Sequence, residues 1–268
     1  MKKFLLAVLC LSLVVFSFAA CSGNNNAAND AENTSNEGSF TMETLNIGTN
    51  AEFPPFEYVD SEAGVIDEFA GIDMEVAKSI AESISAKPVI NNMDFDGLLL
   101  ALDNGQVDAV IAGMSITPER KEQVDFSKPY YKATQVMIVS EDSAIAAATD
   151  LAGKKIGVID GYTGQTCIEE LGYDYSGYKK GADAVLDLAN GKLDAVVIDS
   201  STAEKFIGET KGLKIVEDSN AFDSEEYGIA VKKGNTKLLD AINAQIDKLT
   251  SDGSIDKFCE KYEGADAE

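Results

Sequence analysis

The stretch Leu102-Asp103-Asn104-Gly105-Gln106-Val107-Asp108-Ala109-Val110-Ile111 returns, lightly altered, as Leu188-Ala189-Asn190-Gly191-Lys192-Leu193-Asp194-Ala195-Val196-Val197. Each copy has the form of a helix end, an Asn-Gly C-cap and a short apolar strand. A chain containing this unit twice is expected to fold as two similar α/β lobes. In open α/β sheets, ligands bind in loops at the carboxyl ends of strands. After the first copy come Ala112-Gly113-Met114-Ser115 and then Arg120; after the second come Ile198-Asp199. Two such lobes present a cation from one side and an anion from the other, a pair suited to a small zwitterion.

Charge and composition narrow the chemistry. Against 22 Lys+Arg stand 46 Asp+Glu, a formal net charge of −24. That surface repels phosphate backbones, so nucleic acid is excluded as a partner; the acidity reads first as a solvated, soluble exterior. Histidine is absent, which removes the commonest general base and the commonest metal ligand. Of the four cysteines, Cys10 and Cys21 belong to the leader, leaving Cys167 and Cys259. Two distant cysteines without histidine make a poor zinc site. On different lobes, they are expected to be free thiols packed in helices, with a disulfide as the alternative.

Lys2-Lys3 followed by the apolar run from Phe4 to Phe18 forms an export-type leader. With Ala19-Ala20 before Cys21, it resembles a bacterial lipoprotein signal in which Cys21 becomes the lipidated first residue of the mature chain. An ordinary cleaved signal peptide that happens to contain Cys21 is the alternative. Residues 22–39 hold no apolar side chain larger than alanine, so they cannot bury enough surface to fold and are expected to be a tether. No later stretch is long and apolar enough to span a bilayer.

The folded body is expected to begin near Thr44, with a strand over 45–49. A loop stiffened by Pro54-Pro55 follows. Ile72, Val76, Ile80 and Ile84 recur at helical spacing. Val89-Ile90 reads as a strand, Phe95 to Asp103 as a helix, and the first repeat's strand comes next. This alternation predicts a mostly parallel sheet. Thr134 to Ser140 is a strand that leaves the lobe. A second series has strands at 155–159, 194–198 and 213–216 and helices near 164–171, 181–190 and 200–209. Tyr227 to Val231 reads as a returning strand. Leu238, Leu239, Ile242, Ile246 and Leu249 share one face of a C-terminal helix, and Gly253 separates it from a last helix ending near Tyr262.

Five motifs, in order, resemble the polar amino-acid-binding proteins of ABC importers, the family 3 type of bacterial extracellular solute-binding proteins. They are Thr49-Asn50-Ala51-Glu52-Phe53-Pro54-Pro55-Phe56-Glu57-Tyr58, Asp94-Phe95-Asp96-Gly97-Leu98, Ala112-Gly113-Met114-Ser115-Ile116-Thr117-Pro118-Glu119-Arg120, Asp125-Phe126-Ser127-Lys128-Pro129-Tyr130-Tyr131 and Glu226-Tyr227-Gly228-Ile229-Ala230-Val231. The similarity runs over about residues 44 to 263. It implies a two-lobed α/β fold of the periplasmic-binding-protein-like type II, with two hinge strands that close on a ligand. The expected organisation is a lipoprotein signal peptide at 1–20, a flexible tether at 21–43, one lobe from 44–133 plus 226–268, and a second lobe from 134–225.

The resemblance assigns roles residue by residue. Arg120 is expected to grip an α-carboxylate through two parallel hydrogen bonds, which lysine cannot copy; read alone it would be a solvated arginine. Ser115 is expected to hydrogen-bond the ligand and Gly113 to offer its carbonyl, though both could be turn residues. Asp199 is expected to take the ammonium, in competition with a helix N-cap role ahead of Ser200-Ser201. Asp160-Gly161-Tyr162-Thr163-Gly164-Gln165 would complete the carboxylate site with backbone N–H groups and Thr163. Tyr162 departs from a position often held by threonine. Phe53 and Phe95 are aromatic walls, whereas Phe56 is read as core. Asn50 replaces an aspartate common in relatives, so a basic ligand loses one partner; Glu57 could replace it if it turns inward, but is read first as a solvated loop carboxylate. Ala112 and Ile159 complete the set.

The implied activity is capture of a free L-amino acid by a monomeric, lipid-anchored protein on the extracytoplasmic face of the cell membrane, and its delivery to a cognate ABC permease. No cofactor and no metal are implied. A ligand-sensing protein for signalling is one alternative; no output domain is expected before Glu268, which counts against a self-contained receptor. A cyclohexadienyl-dehydratase-like enzyme is the other, disfavoured by the missing histidine and because ligand charges already account for the cleft's polar residues.

Overall fold

The computed structural model describes residues 40–264. The leader, Cys21 and the tether up to residue 39 lie outside the described residues. No helix of the described residues is long and apolar enough to cross a membrane.

Two sheets organise the fold. The first has five strands in the order Lys87–Asn92, Thr44–Thr49, Ala109–Val110, Ala230–Lys232 and Val124–Phe126; the first three run parallel and the last two are antiparallel to their neighbours. The second follows the order Tyr175–Tyr178, Ile156–Ile159, Ala195–Asp199, Tyr131–Ser140 and Leu213–Val216. Its central strands, Ile156–Ile159, Ala195–Asp199 and the middle of Tyr131–Ser140, are buried on both faces. Met137, Val139, Val158 and Val197 fill a core on one side, while Val136, Ile138, Val196 and Ile198 belong to the main core on the other. A sheet covered on both sides by helices reads as near-continuous apolar strands, as these do.

The repeated unit does the same structural work in both halves. The helices Leu98–Asp103 and Gly181–Ala189 run into Asn104-Gly105 and Asn190-Gly191, whose glycines take left-handed φ values of 70° and 71°. Glycine accepts that conformation without steric cost. The aspartate before each strand then pins the neighbouring strand: Asp108 accepts from the Asn46 amide at 2.8 Å, and Asp194 from the Lys155 amide at 2.7 Å.

Two strands cross between the sheets, and they pair with each other. Tyr131–Ser140 joins the second sheet through its later residues, while its first four pair antiparallel with Ser224–Tyr227. The expected single strand at 227–231 is therefore two. Ser224–Tyr227 belongs to the crossing, and after Gly228-Ile229 the chain enters the first sheet as Ala230–Lys232. The chain has to change partners there, which one uninterrupted strand cannot do. This is the two-lobed α/β architecture of the type II periplasmic-binding-protein fold, with its hinge strands.

The Pro54-Pro55 loop is more ordered than its composition suggests. Glu52–Phe53, Glu57–Val59 and Phe69–Ala70 form a small three-stranded sheet. Cys167 and Cys259 are free thiols, half-buried in the helices Thr163–Glu170 and Ser254–Glu263.

Candidate functional site

The strand Ala109–Val110 runs on through Ile111-Ala112 to Gly113, which has a φ of 51°. A Cβ at Gly113 would lie 2.6 Å from Phe53 Cε1, so only glycine lets the ring sit against this backbone. The Gly113 amide donates to Asp73 Oδ2 at 2.8 Å, and the Tyr130 hydroxyl donates to Asp73 Oδ1 at 2.8 Å. Burial pushes the Asp73 carboxyl up to about 6 despite both bonds.

Thr117 caps the helix Pro118–Gln123 by accepting from the Arg120 amide, which fixes Arg120 in the first turn. The guanidinium lies over the Phe95 ring, 5.3 Å from its centroid. It donates to the Ser115 carbonyl at 2.7 Å and, across to the second sheet's loop, to the Gly161 carbonyl at 2.9 Å. Burial works against its charge; Glu225 and then Asp199 offset part of that cost.

From the second sheet, the strand Ile156–Ile159 leads through Asp160-Gly161-Tyr162 into the helix Thr163–Glu170. Ala195–Asp199 leads likewise into Ser200–Glu209. Asp199 stands at the N-cap position but its side chain makes no capping bond. It accepts instead from the Tyr227 hydroxyl at 2.5 Å. Burial first, and the Glu225 charge second, push its carboxyl up to about 7.

One cavity brings these residues together. Phe53, Phe95, Ala112 and Gly113 line it on one side with Ser115 and Arg120; Tyr162, Thr163 and Asp199 close the other. Its free space is about what a single water molecule needs. Two residues expected at the site do not line it. Ile159 is packed in the core, 1 % exposed, and its carbonyl holds the turn at Tyr162. Asn50 lies behind Tyr162, whose hydroxyl donates to Asn50 Oδ1 at 3.0 Å.

Two acidic residues depart from their first reading in the sequence, Glu57 by taking the inward-turned alternative. Glu57 is not a solvated carboxylate: it is fully buried, because the strand Glu57–Val59 turns it inward, and neither oxygen has a hydrogen-bond partner among the described residues. Burial, then the charge of Asp73, holds its carboxyl well above the usual range. Glu225 was not anticipated at all. One of its oxygens, Oε2, accepts from the Ser115 hydroxyl and from the Thr163 hydroxyl, the latter at 2.7 Å. Period-two alternation along Ser224–Tyr227 puts Glu225 on the face of buried Tyr227, a signal that could have found it.

Residues 45–265 match the model of the bacterial extracellular solute-binding proteins, family 3. A probable histidine-binding protein of Neisseria gonorrhoeae is 34 % identical over 269 residues, spanning 98 % of this chain and 96 % of that protein. The arginine-binding extracellular protein ArtP of Bacillus subtilis (strain 168) is 31 % identical, spanning 98 % of each. Among solved structures, a substrate-binding protein of an amino acid ABC transporter superposes with a TM-score of 0.77 at 39 % identity, covering 82 % of this chain and 98 % of that one.

Proposed function

Because the chain belongs to the bacterial extracellular solute-binding proteins, family 3, we propose that it captures a free L-amino acid between its lobes and delivers it to an ABC permease. It is a binding protein and not an enzyme. The observation that carries the ligand class is the convergence of Arg120, Ser115, Thr163 and Asp199 on one enclosed space from two sheets. Arg120 would hold the ligand carboxylate, with the Ser115 and Thr163 hydroxyls donating to it. That those hydroxyls already converge on one carboxylate oxygen, of Glu225, supports the assignment. Asp199, free of a capping role, would take the ammonium. Phe53 and Phe95 would wall the ligand's remainder.

The clamp needs two bodies that move, which we take to be residues 44–133 with 226–268 and residues 134–225. Ligand contacts from both would stabilise the closed form for the permease. Cys21 would carry the lipid that keeps the protein on the extracytoplasmic face of the membrane. A thermal-shift screen of the twenty L-amino acids against the mature protein tests the central assignment, since a ligand of the native state raises its melting temperature. No shift with any of them would overturn it.

A further inference from the structure

The two charged ends of an amino acid would be met by Arg120 with Ser115 and Thr163, and by Asp199. What remains of the wall is the aromatic set Phe53, Phe95 and Tyr162 with the small residues Ala112 and Gly113, and Tyr162 packs against both phenylalanines. Its ring centroid lies 4.5 Å from that of Phe95 at 61° and 5.2 Å from that of Phe53 at 88°. Edge-to-face packing at these separations leaves no slot for another ring or chain between them. The Tyr162 hydroxyl donates to Asn50 Oδ1 at 3.0 Å, and Asn50 Nδ2 donates onward to the Met93 carbonyl at 2.9 Å. The amide at the far end of this direction is therefore engaged through both its oxygen and its nitrogen. Tyr162 itself is 7 % exposed.

Resting on the amino-acid reading above, we propose that the protein selects an amino acid whose side chain is a hydrogen, a methyl or a hydroxymethyl, and that Tyr162 enforces this by occupying the volume a longer side chain needs. Admitting a long side chain requires the ring to leave two aromatic partners and to break its bond to Asn50. A cationic side chain would reach the neutral Asn50 amide, and the buried Glu57 carboxyl, whose charge also reaches the Tyr162 hydroxyl, is pushed toward its neutral form by burial. The preference thus separates this chain from relatives named for histidine and arginine.

Calorimetric titration of the wild-type protein with glycine, L-alanine, L-serine, L-glutamine, L-histidine and L-arginine reads the claim directly. One of the first three is expected to bind about tenfold or more tighter than any of the last three. Tyr162→Ser opens the volume and is expected to gain about tenfold or more for at least one long ligand. Tyr162→Phe keeps the ring and is expected to keep the preference for short ones. A wild-type protein that favours a long side chain, a folded Tyr162→Ser protein with unaltered ranking, or a Tyr162→Phe protein that accepts long ligands would each overturn the assignment to Tyr162, while amino-acid capture stands. Absence of binding to any of the twenty would instead remove the reading beneath it. If Tyr162→Ser does not fold, as judged by thermal unfolding, the wild-type ranking and Tyr162→Phe decide.

Discussion

Thr163 donates its hydroxyl to Glu225 at 2.7 Å, and the oxygen that receives it is the one that also receives Ser115. A carboxylate of the chain thus holds the two hydroxyls proposed for the ligand's carboxylate. The same residue adds negative charge beside Asp199.

Replacing Glu225 with glutamine removes a charge that competes with the ligand and presses on Asp199. The expected result is tighter binding, by about tenfold for one close like-charge contact removed. Calorimetry at neutral pH measures it; equal or weaker affinity would show that Glu225 helps the ligand instead.

Asp199 makes affinity depend on pH. Its carboxyl sits at about 7 in the free protein, and only its ionised form pairs with an ammonium. Lowering the pH from about 8 to about 6 protonates it, so affinity should fall by about tenfold, one proton being taken up per site. Asp199→Asn should bind more weakly at high pH and lose most of this dependence. Titrations at several pH values check both, and an Asn variant with wild-type affinity and slope would point away from the ammonium role.

Arg120 carries the opposite charge. Arg120→Ala leaves the ligand carboxylate without its cation in an enclosed site, an expected loss of about 3 kcal/mol or roughly 150-fold in Kd. Arg120→Lys should recover only part, because a single ammonium cannot copy the fork of donors that reaches the Ser115 and Gly161 carbonyls. Full recovery by lysine would mean that charge alone suffices.

How much of this could be read before folding is clearest from particular residues. The repeat, the helix of Ile72 and Ile80 and the Asn-Gly caps are local signals, because caps and apolar periodicity act over one or two turns. Arg120 and Asp199 could be named in advance because each follows a strand end, Arg120 within a family-like motif and Asp199 just after the second repeat. For Glu225, alternation with Tyr227 marks the face, but what that face meets depends on the register between Tyr131–Ser140 and Ser224–Tyr227, residues far apart in the chain. Glu57 was misjudged for a related reason: a carboxylate in a proline-rich stretch looks solvated until the small sheet turns it inward. The departure at Tyr162 was visible, but which way its ring points was not.

Glu57 predicts a stability effect whose sign follows from its raised folded-state pKa. Above the ordinary value of 4.5 the unfolded chain releases this proton while the folded chain keeps it, so stability is full below that value and falls as pH rises toward the folded pKa. The loss is about 1.4 kcal/mol for each pH unit. Glu57→Gln needs no proton, and its advantage over wild type should grow from about pH 5 to about pH 7. Urea unfolding at both pH values measures it; a gain independent of pH would mean that Glu57 is ionised when folded.

On the proposed function, the ribbon formed where Tyr131–Ser140 meets Ser224–Tyr227 would be both a mechanical part and a sensory one. If the lobes part as proposed, it would act as a leaf spring, because the segment that must then flex also carries Glu225 and Tyr227, whose side chains reach Thr163 and Asp199. Filling the cleft and bending the spring are then one event. A fluorophore on exposed Ser224 or Glu226 would register occupancy while leaving every group of the clamp untouched.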